Sequence, residues 1–260
     1  MSKLLIGPYI GSFRYEVIIF IPYMRYLLSI LEYDTAIVCS HFNRSFLYND
    51  INFYPVFGNI TRNELYQQGI ISSDVTKQQY NQICKLIKKE IGDVIEQQTL
   101  PYIKNYNQIS CYQRIYKPFK QYKYKQSDNI ILLPNNGKEN RILYDTLKDK
   151  YNIIVLGDMH SGLAVYNELL KKSNYFDIVY EHIFNKIHDC KFVITSCPEW
   201  ALICNLQKIP LFYWGYDASL YKTDGIFGFG NKNVVSLKDF NIKMIEYMNN
   251  NIEEKSNAVI

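Results

Sequence analysis

The residues best suited to chemistry in this chain fall in short polar breaks that follow apolar runs. Ser196-Cys197-Pro198-Glu199 separates the β-branched run Lys191–Thr195 from a helical pattern at Trp200, Ile203 and Cys204. Such a loop, with a Pro suited to the first helical position, joins the C-terminal end of a strand to the N-terminus of a helix. Backbone N–H groups and the helix dipole favour an anion there. Asn135-Asn136-Gly137-Lys138 takes the same place after Asn129–Leu133, Gly157-Asp158 after Tyr151–Leu156, and the loop Gly7–Phe13 after Lys3–Ile6. His41, Asn43 and Arg44 follow the run Thr35–Cys39 at the same edge, and His41 has a ring whose ordinary pKa suits proton transfer. Glu16 adds a carboxylate where a helix follows the glycine loop. Each residue also has a plainer reading. The glycines of G-P-Y-I-G serve a tight turn, since the pattern lacks the third glycine and the spacing of a dinucleotide fingerprint. Glu16 complements a helix dipole, Lys138 is a solvated lysine and Asp158 a cap or turn residue.

The six cysteines form no C-x-x-C pair and match no zinc spacing, so no metal site is expected. Several lie in apolar runs and read as buried thiols, which fits a reducing, cytoplasmic compartment. Cys197 has no His at a telling spacing and is not expected to be a nucleophile. Between residues 102 and 126 the composition changes: Arg114, Lys117, Lys120, Lys123 and Lys125 interleave with Tyr112, Tyr116, Phe119, Tyr122 and Tyr124. Such a mixture grips a phosphate backbone and stacks bases, or else is a basic linker between domains.

The elements that must position these residues read as two βα halves. The first has strands at Lys3–Ile6, Thr35–Cys39 and Phe53–Phe57. It has helices at Tyr15–Leu31, bent at Pro22, and at Asp74–Gln98 with a cap at Ser73 or Asp74. The second has strands at Asn129–Leu133, Tyr151–Leu156, Asp177–Tyr180, Lys191–Thr195, Leu211–Trp214 and Val234–Leu237. Its helices are expected at Arg141–Lys150, Leu163–Lys172, Glu181–Asp189, Trp200–Leu206 and from Leu237 or Lys238 to about Asn250.

With 48% hydrophobic residues the chain of 260 has ample material for two cores. A net charge of +4 is too small to require a nucleic-acid partner. The 24 tyrosines, with abundant Asn, Lys and Ile, fit an AT-rich genome, viral ones included. Lys3–Ile6 is too short for a secretory signal, and Glu16, Pro22 and Arg25 argue against a membrane span over the apolar stretch Glu16–Leu31.

The stretch VITSCPEWALICNLQKIPLFYWG resembles the donor-side element of GT-B glycosyltransferases such as heptosyltransferases, where a strand, a small polar loop, a helix and a K-x-P step follow one another. The opening GPYIGSFRYEVIIFIPYMRYL, with Glu16, Pro22, Tyr23 and Arg25, looks like the entry of glycosyltransferase-like proteins. The heptosyltransferase type has Gly-Pro-x-His after the strand, whereas here Pro198 is followed by Glu199-Trp200.

The resemblance implies an α/β protein of two Rossmann-like domains, 1–118 and 119–260, facing each other across a cleft, with the terminal helix returning to the first. It implies metal-independent transfer of a sugar from a nucleotide-sugar to a hydroxyl, with no cofactor beyond that substrate. The absence of a D-x-D pair agrees. On this reading Asn135, Asn136, Gly137, Lys138, Ser196, Cys197, Pro198 and Glu199 hold the diphosphate. Gly157 and Asp158 line the nucleoside pocket, and Glu181 or Glu199 accepts the ribose hydroxyls. Glu16 or His41 is the base, and Gly7, Tyr9, Gly11, Ser12, Phe13 and Arg44 form the acceptor side. The acceptor is left open: DNA through Arg114, Lys117, Lys120 and Tyr122, a glycan, a lipid-linked sugar or a protein, met in the cytoplasm or, for a viral protein, the host cytoplasm. The rival readings are a nucleotide-binding module without catalysis and a pyruvyltransferase or epimerase on the same frame.

Overall fold

The computed structural model describes residues 3–9, 13–56, 84–92, 96–98, 124–133, 137–156 and 179–239. They belong to two compact units, Met1–Lys120 and Gln121–Ile260. Each is an α/β unit built on a parallel sheet.

In the first unit β1 (Lys3–Ile6), β2 (Thr35–His41), β3 (Asn52–Val56) and β4 (Glu96–Gln98) line up in the order β3-β2-β1-β4. All three pairings are parallel. That is the order 3-2-1-4, four consecutive strands of the order 3-2-1-4-5-6 of a Rossmann sheet. Leu4, Leu5 and Ile6 are all buried, as a central parallel strand covered on both faces requires.

The helix expected over Tyr15–Leu31 forms in three pieces: α1 (Phe13–Tyr15), a π-helical turn at Glu16–Phe20, and α2 (Ile21–Ile30). Pro22 has no N–H to offer the preceding turn, and the wider turn lies immediately before it. The helix expected over Asp74–Gln98 is described at residues 84–91 (α3) and stops at Gly92. Gly92 has φ 79 and its N–H donates to the Lys88 carbonyl at 3.1 Å, an αL helix end. Lys3 Nζ holds the last carbonyl of that helix, at Ile91, at 2.6 Å. Glu96–Gln98 is therefore strand β4 beside β1 rather than the end of a helix.

The second unit runs β5 (Asn129–Leu133), α4 (Gly137–Leu147), β6 (Asn152–Val155), α5 (Val179–Ile187), β7 (Phe192–Thr195), α6 (Pro198–Leu206), β8 (Leu211–Trp214), α7 (Ala218–Tyr221) and β9 (Val234–Leu237). The strands are parallel throughout, in the order β6-β5-β7-β8-β9. In chain order this is 2-1-3-4-5, a common order of open α/β sheets. Ile130, Leu132, Phe192, Ile194, Phe212 and Trp214 point to one face and pack with Leu143 and Leu147 of α4. Ile131, Val193 and Leu211 on the other face are equally buried.

Two expectations change here. Gly137–Asn140, read as loop, is the first turn of α4. Val179 and Tyr180, read as the end of a short strand, open α5. The helices expected at Leu163–Lys172 and beyond Lys238 lie outside the described residues, apart from Lys238 and Asp239.

Candidate ligand site

The chain leaves β5 towards β6 on one side and leaves β7 towards β8 on the other, so the C-terminal ends of β5 and β7 form a topological switch point. Leu133 and Thr195 are register partners at that end. Thr195 is fully buried and latches three elements together. Its Oγ1 donates to the Leu133 carbonyl at 2.9 Å and accepts the Cys197 N–H at 2.9 Å. This bond fixes where the chain turns from β7 into α6. Cys197, in extended backbone, precedes the helix without a side-chain cap, and Pro198 takes the first helical position with the φ it prefers.

Ser196 stands at the bend between strand and helix. Its Oγ is shielded from solvent and has no hydrogen-bond partner among the described residues. Glu199 adds a carboxylate to the first turn of α6, and Glu181 does the same, exposed, on α5. Such carboxylates complement the helix dipole themselves, so hydroxyl groups suit them better than phosphate oxygens. Gly137 and Lys138 open α4 after β5, at the same sheet edge. The switch point thus brings together Ser196, Cys197, Pro198, Glu199 and the backbone of Gly137–Lys138. Asn135, Asn136, Gly157 and Asp158 lie outside the described residues.

The first unit holds a second polar constellation, and it is buried. Glu16, on the π turn, has no exposed surface. Its Oε1 accepts from the Ser40 hydroxyl and from the Tyr48 hydroxyl at 2.7 Å, and its Oε2 accepts Nε of Arg44 at 2.9 Å. Burial pushes the carboxyl up from its ordinary value, opposed by the Arg44 charge and the three hydrogen bonds. Burial and the Glu16 charge likewise raise Tyr48, which stays a neutral donor. Arg44 also lies 4.7 Å over the Phe13 ring.

Gly7 and Tyr9 belong to the same knot. Gly7 has φ 110, and a Cβ there would meet the Cys39 carbonyl oxygen at 2.5 Å. Tyr9 donates its N–H to that oxygen at 2.8 Å and stacks on Phe20 with centroids 4.7 Å apart.

The acceptor-side set is therefore brought together, but as packing. Tyr9, Phe13 and Arg44 are buried, Arg44 between Glu16 and the Phe13 ring, and Gly7 is closed in against the Cys39 carbonyl, while Gly11 and Ser12 lie outside the described residues. His41, the alternative base, is 3% exposed at the end of β2. The expectation that Glu16 faces an acceptor is corrected in the same way, because both carboxylate oxygens are taken by buried donors. Arg114, Lys117, Lys120 and Tyr122 are outside the described residues.

Reasoning from sequence missed Ser40 and Tyr48 as partners of Glu16, Thr195 as the latch, and the exposed Tyr216 just beyond β8. A β-branched hydroxyl as the last residue of a buried strand was the one available signal for Thr195. Among the described residues, no group of three or more His, Cys, Asp or Glu is placed to hold a metal ion, and no helix is long and apolar enough to cross a membrane. No family model, curated protein or solved structure matches the chain.

Proposed function

We propose that the Gln121–Ile260 unit binds a nucleoside diphosphate-sugar at the β5/β7 switch point and that the protein is a glycosyltransferase of the GT-B kind. The observation that carries the proposal is the Thr195 latch, which sets the N-terminus of α6 and the unpartnered Ser196 hydroxyl at the one place in a 2-1-3-4-5 sheet where a crevice opens. The diphosphate meets the first turn of α6 and the start of α4, with Lys138 supplying charge. A carboxylate, Glu199 or Glu181, takes the ribose hydroxyls. Backbone donors and a lysine at this edge stabilise a leaving diphosphate without a metal. The 3-2-1-4 sheet of the other unit supports a two-domain Rossmann-like plan, with the acceptor as glycan, lipid-linked sugar, protein or DNA.

A second reading, a nucleotide-binding module without catalysis, is favoured by one observation: both candidate bases, Glu16 and His41, are buried. Thermal unfolding with UDP-glucose, GDP-mannose and ADP-glucose, followed by an assay for released or transferred sugar, separates the readings. A ligand present at about 100 times its Kd contributes about 2.7 kcal/mol to the native state, so a true donor raises the unfolding temperature by several degrees. Stabilisation with sugar transfer supports the glycosyltransferase, and stabilisation without sugar release or transfer supports the binding module. No stabilisation by any nucleotide sinks both.

A further inference from the structure

We infer that Tyr216 is a stacking platform that receives a flat ring face of the bound donor, either its base or its sugar; the inference rests on the donor site proposed above. Tyr216 is 95% exposed, the most exposed of the large hydrophobic side chains described. It lies two residues beyond β8, at the C-terminal edge of the sheet. Thr195 is the register partner of Tyr213 on β8. The chain segments leading to Ser196 and to Tyr216 therefore rise from adjacent strands, spaced ~5 Å apart.

The backbone that carries this ring is pinned on every side. Gly215 donates its N–H to the Leu237 carbonyl at 3.0 Å, and the Gly215 carbonyl accepts the Ala218 N–H at 3.1 Å. The Tyr213 hydroxyl donates to Asp217 Oδ1 at 2.6 Å. A Cβ at position 215 would meet that same hydroxyl at 2.7 Å, so a side chain there would displace the Tyr213–Asp217 contact. An aromatic ring fully in water on a fixed corner contributes nothing to the core. It is an apolar face carried on a fixed backbone one strand away from the switch point, and a planar base or the C–H face of a sugar reaching over β7 covers such a ring. Aromatic–base stacking supports binding strongly enough that its loss on truncation to alanine weakens affinity by about fivefold or more.

The test compares the full-length wild type with Tyr216→Ala and Tyr216→Phe by titration calorimetry. The probes are UDP-glucose, GDP-mannose and ADP-glucose, each beside its free diphosphate, with inorganic pyrophosphate as a ring-free control. Tyr216 is exposed, so both variants fold. For the probe that binds, Tyr216→Ala is expected to weaken affinity at least fivefold while Tyr216→Phe stays within twofold and pyrophosphate binding is unchanged. A loss seen with both the free diphosphate and the sugar conjugate assigns the ring to the base, and a loss confined to the conjugate assigns it to the sugar. Equal affinity of wild type and Tyr216→Ala for a probe that binds overturns the inference while leaving the donor site standing. A wild type that binds no nucleotide probe overturns the donor site and the inference together.

Discussion

Glu16 shows how far a residue's meaning depends on what surrounds it. A carboxylate after a glycine loop has the chemistry of a base, but with Ser40, Tyr48 and Arg44 all donating to it, it is an anchor. The carboxylate ties the π turn to the end of β2 and to the 3-10 helix Phe42–Tyr48 that follows. Its ion pair with Arg44 is out of solvent, with side chains 0% and 5% exposed. Removing one partner of a buried pair leaves the other charge uncompensated, at about 3–5 kcal/mol, whereas replacing both is far milder. Glu16→Gln is accordingly expected to lower stability by about that much in denaturant unfolding. Combining it with Arg44→Met should restore most of the loss. A Glu16→Gln protein as stable as wild type would show that the pair holds nothing together.

At the scale of elements, the parallel strands were legible because buried strands are apolar runs of three to five residues, as in Leu4–Ile6 or Phe192–Ile194. The β4 strand was not. Glu-Gln-Gln carries no apolar signature, and it is a strand because Gly92 ends the helix before it and β1 offers a free edge. The β7–α6 turn was legible from Pro198 and the run before it. The partners of Glu16 were not, since Ser40 and Tyr48 are 24 and 32 residues away and only the fold brings them there.

The segment after β8 carries Gly225, Gly228 and Gly230, the composition of a loop, and its order comes from buried amides. Asn205 on α6 donates through Nδ2 to the carbonyls of Tyr221 at 3.0 Å and Phe227 at 2.8 Å. Its Oδ1 accepts Asn231 Nδ2 at 3.1 Å, and Asn231 also donates to Ile209 O at 2.9 Å. Asn205→Asp keeps the shape but turns two donors into an acceptor facing two carbonyls. Each buried group left unsatisfied costs about 1–3 kcal/mol. The variant should open the segment 217–231 to limited proteolysis well below the unfolding temperature, and an unchanged cleavage pattern would refute that account.

For the whole molecule, two parallel sheets raise the question of which one would hold the proposed donor. In Met1–Lys120 both carboxylate oxygens of Glu16 are taken by buried donors. The constellation of Gln121–Ile260 is at a sheet edge and includes the Ser196 hydroxyl, which has no hydrogen-bond partner among the described residues. Free energy of ligand binding adds to the native state only through the surface that makes the contacts. Sites that share no partner have additive effects, to within a few tenths of a kcal/mol. Glu16→Gln should therefore lower the unfolding temperature of the protein yet leave its affinity for the stabilising nucleotide unchanged when both proteins are titrated at a temperature where they are folded. Thr195→Val should lower both stability and affinity, since it leaves the Leu133 carbonyl and the Cys197 N–H without this partner. It keeps the β-branched shape in the core but removes the latch to Leu133 O and Cys197 N, releasing the α6 N-terminus from its set position, so affinity should fall by tenfold or more. If Glu16→Gln abolishes binding while Thr195→Val preserves it, the donor belongs to the first unit, and the roles assigned to the two sheets must be exchanged.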